Sequence, residues 1–174
     1  MIFEFDILKS RYLKDVYIIR PGISKDIRGN IWTSFIKKDI EALLPENLYF
    51  KHDKFSESKK NVLRGIHGDK KSWKLVTCVF GDIYQVVVDC REESSTFNQY
   101  ESFNINALNQ ISVLIPPRFG NAYYVKSENG VYHYKLAYEG EYIDANEQFS
   151  YKWNDPAFNI KWPTNNPILS ERDK

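Results

Sequence analysis

The chain has 174 residues and a formal net charge of +1, with 43% hydrophobic and 16% aromatic residues. This length suits one domain over residues 1–174, and the apolar content is too high for a disordered chain. The balanced charge gives no general attraction for nucleic acid or an anionic membrane. No apolar run approaches the ~18 residues of a membrane helix.

The two cysteines, Cys78 and Cys90, are too few for a disulfide framework in a chain of this length. We expect both to be buried free thiols. The N-terminal segment MIFEFDILKSRYLKD carries charges throughout, unlike a signal peptide. Together these features predict a reducing, cytoplasmic location.

The first third of the chain predicts short strands and one helix. The alternating runs IFEFDIL and DVYIIRP favour edge strands that end at Pro21. A turn over residues 26–30 precedes a predicted strand, Ile31–Ile36. Helical spacing of apolar residues predicts a helix over Lys38–Leu44, and Pro45 would end it. The polar, aromatic-rich segment Tyr49–Ser58 then leads into the central stretch.

The central stretch contains two β-branched runs, Lys74–Phe80 and Ile83–Asp89, separated by Gly81-Asp82. This spacing predicts a two-residue hairpin. Further short strands are predicted at Tyr100–Ile105, Ile111–Ile115, Ala122–Lys126 and Val131–Tyr138. A turn-rich tail follows, which we expect to wrap over the body. Many short strands with little helix indicate a β-sandwich or barrel, and periodicity leaves the up-and-down and jelly-roll forms open.

A histidine with basic neighbours is the strongest chemical signal from the residues alone. His67 lies in the glycine-flanked sequence Arg64-Gly65-Ile66-His67-Gly68, and Lys74 follows. His67 is either a general base or a satisfied structural histidine. The chain's three histidines are far apart in sequence, which disfavours a metal site because such a site needs clustered ligands.

Two further patterns allow a structural or a functional interpretation. The cations Arg28, Arg64 and Lys74 are either solvated surface charges or a clamp for a diphosphate, which guanidinium groups bind bidentately. Strict alternation would place four residues on one face of a strand: Tyr132, Tyr134, Leu136 and Tyr138. That face is either part of an aromatic core or the source of a phenol that acts as a proton donor.

Seven segments, in order, resemble the motifs of the dTDP-4-keto-6-deoxyglucose 3,5-epimerase family: DIRGNIWTSF, NVLRGIHGDKKSWKLV, GDIYQVVVDCREESSTF, LIPPRFGNAYYV, VYHYKLAY, KWNDPAFNIKWP and ILSERD. The resemblance covers nearly the whole chain. Three pieces, RGIHGD, FGNA and PTNNPILSERD, are more similar to a branch that acts on GDP-linked 4-keto-6-deoxy-heptoses in capsule synthesis.

The resemblance implies an all-β, cupin-type jelly-roll β-barrel with one or two short helices and an irregular C-terminal tail. It also implies a homodimer that exchanges N-terminal strands and works without a metal or other cofactor. The implied activity is epimerisation of a nucleotide-linked 4-keto-6-deoxy sugar at C3, with C5 left open. A GDP-linked heptose is the first expectation for the substrate, and a dTDP-linked hexose is the alternative.

The resemblance also implies a role for each of four catalytic residues. His67 matches the catalytic base, and Tyr134 matches the acid on the opposite face of the sugar. Asp173 matches the carboxylate that orients the histidine, and Lys74 matches the lysine near the sugar carbonyl.

Four further residues correspond to substrate-binding positions of the family. Arg28 and Arg64 match arginines that hold the diphosphate. Asn121 stands where the family has a histidine, and it can bond a hydroxyl but cannot titrate. Lys54 ends the segment His52-Asp53-Lys54, where the family has Gln-x-Asn.

Three other functions stay open on the sequence. The barrel could bind a sugar nucleotide without turnover, or it could move the carbonyl from C4 to C3 as a 3,4-ketoisomerase. A metal-dependent cupin enzyme is the third.

Overall fold

The computed structural model describes residues 4–174. The predicted first strand begins at Ile2, so Ile2 and Phe3 lie outside the described residues. The strands in chain order are β1 (Phe5–Lys9), β2 (Tyr17–Pro21), β3 (Ile23–Asp26), β4 (Gly29–Trp32), β5 (Phe50–Lys59), β6 (Leu63–Gly68), β7 (Trp73–Phe80), β8 (Asp82–Asp89), β9 (Tyr100–Asn106), β10 (Ser112–Ile115), β11 (Phe119–Val125), β12 (Asn129–Ala137) and β13 (Phe149–Ser150).

Two antiparallel sheets form the body of the molecule. One has the strand order β1-β2-β10-β7-β12-β5, and the other has the order β13-β6-β11-β8-β9. The main core lies between them and includes Val76 and Tyr132 from the first sheet and Val87 and Phe119 from the second. This confirms the all-β jelly-roll prediction.

The outer faces of both sheets are covered by segments with little regular structure. Helix α1 (Lys37–Ile40) and a 3₁₀ turn (Glu41–Leu43) pack over the first sheet, where Ile40 is fully buried. Phe158 and its neighbours in the tail cover the second sheet. The predicted helix and the wrapped, irregular tail are therefore confirmed. Within residues 4–174, no helix has the length and apolar character needed to cross a membrane.

The predicted hairpin at Gly81-Asp82 is wrong. β7 pairs with β10 and β12, whereas β8 pairs with β9 and β11 in the other sheet. Gly81 is the corner between the sheets, with φ +95, and a Cβ there would lie 2.4 Å from the carbonyl oxygen of Asn129. Both runs are buried, and each lies between two other strands of its own sheet instead of pairing with the other run.

Two further differences concern the first third of the chain. The predicted strand Ile31–Ile36 is wrong beyond Trp32, because β4 pairs only with β3 as a separate two-stranded hairpin. The segment Tyr49–Ser58, which carried no strand prediction, forms all but the last residue of β5 at the edge of the first sheet. β5 has polar residues at alternate positions because Lys54 and Ser56 line a cavity instead of the core.

Candidate active site

A polar cavity of about 280 Å³ lies between the two sheets. The first sheet contributes side chains from β5, β7 and β12, and the second contributes side chains from β6 and β11. The loop after β12 and the last residues of the tail complete the lining. Its members are Lys54, Ser56, Arg64, His67, Lys74, Asn121, Tyr123, Tyr132, Tyr134, Leu136, Tyr142, Asp144, Ala145, Gln148, Ser170, Arg172 and Asp173.

β6 presents His67 to the cavity. Its neighbours across the sheet are Asn121 of β11 and Ser150 of β13. Two residues earlier, Gly65 has φ +122, and a Cβ there would lie 2.4 Å from the Cβ of Ala122. Glycine at this position therefore allows the close approach of β6 to β11 that sets the position of His67.

His67 and Asp173 form a histidine–carboxylate pair. His67 Nε2 lies 2.6 Å from Asp173 Oδ1, and Ser170 Oγ donates to Asp173 Oδ2 at 2.7 Å. Burial alone would raise the pKa of Asp173, but the bonds from His67 and Ser170 outweigh it and lower the pKa. The ionised carboxylate keeps the proton of neutral His67 on Nε2, so Nδ1 is free to accept one.

Tyr134 lines the cavity from β12, in the sheet opposite His67. The predicted alternation holds for Tyr132, Tyr134 and Leu136, which all reach the cavity. It ends there, because β12 stops at Ala137 and Tyr138 instead lies beside His52, with 3.3 Å between its hydroxyl and Nδ1. Burial raises the pKa of Tyr134 above its usual value, so the phenol is protonated at neutral pH.

Lys74 reaches the cavity from β7, with its side chain only 11% exposed. Its ammonium nitrogen lies 3.5 Å from Oδ2 of Asp69, which is fully buried. Burial lowers the pKa of Lys74, and Asp69 opposes that change. The site therefore contains an amine that is shielded from bulk water, and its buried partner Asp69 favours the charged form of that amine.

A buried network fixes the orientation of Asn121. Its Oδ1 accepts a hydrogen bond from Gln85 Nε2 at 2.6 Å and lies 3.2 Å from the Tyr132 hydroxyl. That hydroxyl donates its one proton to Gln85 Oε1, the nearer of the two oxygens at 2.8 Å. With Oδ1 occupied, the Nδ2 amide group of Asn121 is the part that can donate to a ligand in the cavity.

The cavity has an excess of positive charge. Lys54, Arg64, Lys74 and Arg172 line it together with two carboxylates, Asp144 and Asp173. Lys54 Nζ bonds the Tyr142 hydroxyl at 2.9 Å, and Arg64 Nε bonds Ser58 Oγ at 2.9 Å. Burial would lower the pKa of Lys54, but the bond to Tyr142 and nearby charges raise it. These cations favour an anionic ligand.

Arg28 is the one predicted site residue that the structure does not bring into this cavity. It lies in the β3–β4 turn, where its Nη2 is 2.6 Å from Asp26 Oδ2 and its side chain is 85% exposed. The exposed position leaves its guanidinium accessible to solvent or to another molecule.

Sequence reasoning missed several residues of the site. Tyr142, Asp144 and Gln148 come from the loop after β12, and no local pattern marks them. Arg172 is adjacent to the predicted Asp173, and its Nη2 bonds Gln148 Oε1 at 3.3 Å. That adjacency was a usable signal, whereas the loop residues reach the cavity only through the tertiary fold.

The other two histidines lie apart from His67. His133 Nε2 bonds Asp53 Oδ1 at 2.7 Å, and His52 packs against Tyr142 with 4.7 Å between ring centroids. Neither of them lines the cavity. Within the described part of the chain, no three His, Cys, Asp or Glu side chains are grouped to hold a metal ion.

The fold and the cavity define a cupin-type jelly-roll protein with titratable groups on both walls of one polar cavity. The family model for dTDP-4-dehydrorhamnose 3,5-epimerase matches residues 10–174. The chain therefore belongs to the dTDP-4-dehydrorhamnose 3,5-epimerase family, and it is an isomerase.

Individual relatives agree with this assignment. The dTDP-4-dehydrorhamnose 3,5-epimerase of Salmonella typhimurium is 36% identical over 165 residues, covering 92% of this chain and 88% of that protein. The dTDP-6-deoxy-D-glucose-3,5-epimerase RmlC of Legionella pneumophila, solved with dTDP-4-keto-L-rhamnose, has a TM-score of 0.88 at 33% identity, covering 98% and 90% of the two chains.

A third relative has a more general description. NovW of Streptomyces spheroides, a 4-keto-6-deoxy sugar epimerase, has a TM-score of 0.88 at 26% identity, covering 98% of this chain and 85% of that one. The named substrates and ligands of the first two relatives are dTDP-linked. The expected closer relationship to the GDP-heptose branch, and with it a role in capsule synthesis, is not supported.

Proposed function

We propose that the protein epimerises a dTDP-linked 4-keto-6-deoxyhexose at C3 and C5. The observation that carries the proposal is the arrangement of His67 and Tyr134, which line one cavity from opposite sheets. A base on one face of a sugar ring and an acid on the other are what inversion of a carbon centre requires. The relatives' names support the dTDP nucleotide and the 4-keto sugar.

The first step would be removal of a proton next to the ketone. Nδ1 of His67 takes the proton from C3, and the electron pair of the C–H bond moves to the C4 oxygen as an enolate. Asp173 stabilises the imidazolium that forms, as a carboxylate does in other histidine dyads. The ammonium of Lys74 stabilises the charge on the C4 oxygen, where fixed electrostatics is most effective.

The second step would return a proton from the other side. Tyr134 donates its hydroxyl proton to the carbon as the enolate collapses, which inverts the centre. The raised pKa of Tyr134 suits this role, because the phenol begins each cycle protonated. The phenolate then regains a proton from water and the His67 imidazolium gives its proton to water, which restores both groups. The same two steps at C5 would give double inversion. Positioned acid–base catalysis of this kind supplies about 10²- to 10⁴-fold in rate.

The size and charge of the cavity support a nucleotide sugar as the ligand. A cavity of about 280 Å³ is small for a whole nucleotide sugar, so the sugar would lie inside and the nucleotide would extend outward. Arg64, Arg172 and Lys54 would hold the diphosphate, because arginine forks and lysine ammonium groups bind phosphate oxygens. Asn121 would bond a sugar hydroxyl through Nδ2.

Isotope exchange tests the chemistry directly. With dTDP-4-keto-6-deoxyglucose in D₂O, NMR should show deuterium entering C3 and C5 as the product forms. Exchange at C3 alone would show that only C3 is inverted. Exchange at neither carbon would overturn the epimerase proposal in favour of binding without turnover. A carbonyl that moves to C3 would instead identify a ketoisomerase.

Two substitutions with matched controls test the roles of His67 and Tyr134. His67→Asn should abolish exchange, whereas His133→Asn should not, because His133 also pairs with a carboxylate but lies outside the cavity. Tyr134→Phe should retain part of the proton abstraction but lose inversion, whereas Tyr138→Phe should behave like the wild type. Normal product formation by His67→Asn would show that His67 is not the base, and normal product formation by Tyr134→Phe would show that Tyr134 is not the acid.

The nucleotide is tested by competition between substrates. Equal concentrations of dTDP-linked 4-keto-6-deoxyglucose and a GDP-linked 4-keto-6-deoxy-heptose should give faster turnover of the dTDP compound. A preference for the GDP compound would overturn the proposed nucleotide and hexose but leave the acid–base chemistry intact.

In a homodimer, Arg28 would bind substrate in the cavity of the other copy, which it does not reach in its own chain. The β3–β4 hairpin holds Arg28 outside its own cavity, and the side chain is largely exposed. In a homodimer with exchanged N-terminal segments, this hairpin would extend to the second copy, where Arg28 would contact the diphosphate. β1 pairs with β2, and β2 pairs with β10 of the same chain. The β3–β4 hairpin is therefore the N-terminal segment that could be exchanged between the two copies.

A further inference from the structure

The turn after β6 holds a buried carboxylate, Asp69, in one orientation. Its Oδ1 accepts hydrogen bonds from the backbone N–H groups of Ser72 at 2.6 Å and Lys71 at 3.0 Å. Its Oδ2 is buried and has no hydrogen-bond partner within residues 4–174. One oxygen of Asp69 therefore stabilises the turn, and the other takes no part in the hydrogen bonds of that turn.

The free oxygen of Asp69 faces the ammonium of Lys74. The two atoms lie 3.5 Å apart, an ion-pair distance, and Asp69 itself is not part of the cavity lining. Lys74 therefore lies between a carboxylate on one side and the cavity on the other. Asp69 would not touch a ligand in the cavity, and its contact with the cavity lining is through Lys74.

The remaining surroundings of Lys74 do not favour a charged amine. Its strand neighbours are apolar, Ile115 on β10 and Leu136 on β12. The titratable and charged groups that share its cavity are Lys54, Arg64, His67, Tyr123, Tyr132, Tyr134, Tyr142, Asp144, Arg172 and Asp173. Among these, Arg172 is a nearby positive charge that opposes protonation of Lys74.

The two carboxylates in the cavity are not free to replace Asp69. Asp173 is engaged by His67 and Ser170, and Asp144 accepts a bond from the backbone N–H of Ala145. Burial lowers the pKa of Lys74, and Asp69 is the group that counteracts this. Removal of Asp69 would therefore leave the amine with burial and Arg172 acting in the same direction.

We propose that Asp69 is a positioning residue that holds Lys74 in the cavity as a charged ammonium directed at the C4 oxygen of the substrate. The proposal rests on the proposed function, because it assigns a partner to the group that stabilises the enolate. A neutral amine at this place could donate a hydrogen bond but would lack the charge that stabilises an anion. Asp69 would thus extend the range of pH over which the enzyme is active.

A direct titration of Lys74 tests the pair without any turnover. NMR of the ¹³C-labelled lysine side chains, with the Lys74 signal assigned from Lys74→Met, gives the pKa. In the wild type we expect Lys74 to be charged at pH 7 in spite of its burial. A neutral Lys74 at that pH would overturn the proposal, and this measurement does not depend on the folding of any Asp69 variant.

Asp69→Asn is the matched variant, because asparagine keeps an oxygen that accepts the bonds from Ser72 and Lys71. We expect the pKa of Lys74 to fall by about one unit or more, as for loss of an opposite charge within ~4–6 Å. Asp155→Asn is the control, since Asp155 also accepts a backbone N–H but is only half-buried and does not line the cavity. An unchanged pKa of Lys74 in Asp69→Asn would overturn the proposal.

The pH profile tests the consequence for catalysis. If charged Lys74 is needed, activity falls as pH rises through its pKa, so Asp69→Asn should move the alkaline limb of kcat/KM to lower pH. If kcat/KM of Asp69→Asn is instead reduced by the same factor at every pH, with no shift of the alkaline limb, Asp69 has a merely structural role and the proposal is overturned. Absence of exchange in the wild type would overturn the proposed function instead, while the titration would still decide whether Asp69 controls Lys74.

Discussion

His67 Nε2 and Asp173 Oδ1 lie 2.6 Å apart, although the two residues are 106 positions apart in the chain. The histidine lies on a central strand, and the carboxylate lies in a 3₁₀ turn, Glu171–Asp173, at the end of the tail. Asp173 is nevertheless buried, with a side chain that is 3% exposed. The turn Glu171–Asp173 is therefore part of the site.

Asp173→Asn should lower kcat by about 10²- to 10⁴-fold, because an amide does not hold the histidine in the tautomer that accepts a proton at Nδ1. Steady-state kinetics with the 4-keto sugar measures this. Glu171→Gln is the control, since Glu171 belongs to the same 3₁₀ turn and contacts Lys174 on the surface. Wild-type kcat in Asp173→Asn would show that Asp173 does not orient the base.

Arg28 should act on a second copy of the chain. Arg28→Ala and His67→Asn should each be poorly active alone, but mixed and refolded together they should regain about a quarter of wild-type activity. The reason is statistical: half of the C2 dimers combine both chains, and each of those contains one intact site. A mixture that stays as inactive as its components would show that Arg28 acts in the site of its own chain, and normal activity of Arg28→Ala alone would show that Arg28 lies outside the site altogether.

Asp89 should contribute to stability and not to catalysis. Its carboxylate is fully buried and accepts hydrogen bonds from Arg91, Ser94 and Thr96, which fastens the loop after β8. Asp89→Asn leaves the Arg91 charge without its buried partner and should cost about 3 kcal/mol of unfolding free energy. Asp15→Asn, which removes the exposed partner of Arg91, should cost less than about 1 kcal/mol.

The same variant has a pH signature that urea unfolding can measure. Burial would raise the pKa of Asp89, but the bonds from Arg91, Ser94 and Thr96 lower it below its usual value. The Asp89 carboxylate therefore contributes its full stabilisation above about pH 3.9, the pKa of an aspartate in the unfolded chain. This contribution is lost as the pH falls through the pKa of Asp89 in the folded protein. The difference between wild type and Asp89→Asn should shrink over that range, and a constant difference would contradict the account.

The two cysteines should resist alkylation in the folded protein. Burial raises the pKa of Cys78 to about 11 and the pKa of Cys90 to about 12. Since the thiolate is the reactive form, two units above the ordinary value make it about 100-fold scarcer near neutral pH. Iodoacetamide at pH 8 should therefore modify the urea-unfolded chain at least that much faster, and equal rates would contradict burial of the thiols.

Local patterns in the sequence predicted most of the strands. The runs at Lys74–Phe80 and Ile83–Asp89 correspond closely to β7 and β8, because buried β-branched residues are a strong local signal. β5 gave no such signal, since its inner side chains face a polar cavity and not the core. The ordered motifs predicted His67, Tyr134, Lys74 and Asp173, and all four line the cavity.

The sequence by itself determined the fold class, the family and the main cavity residues, because these depend on residue types and their spacing along the chain. Only the tertiary structure decided that β7 and β8 lie in different sheets, and that Arg28 lies outside the cavity of its own chain. It also decided that Asp69 faces Lys74 from outside the cavity. Such relationships depend on which distant segments pack together, and local periodicity carries no information about that choice.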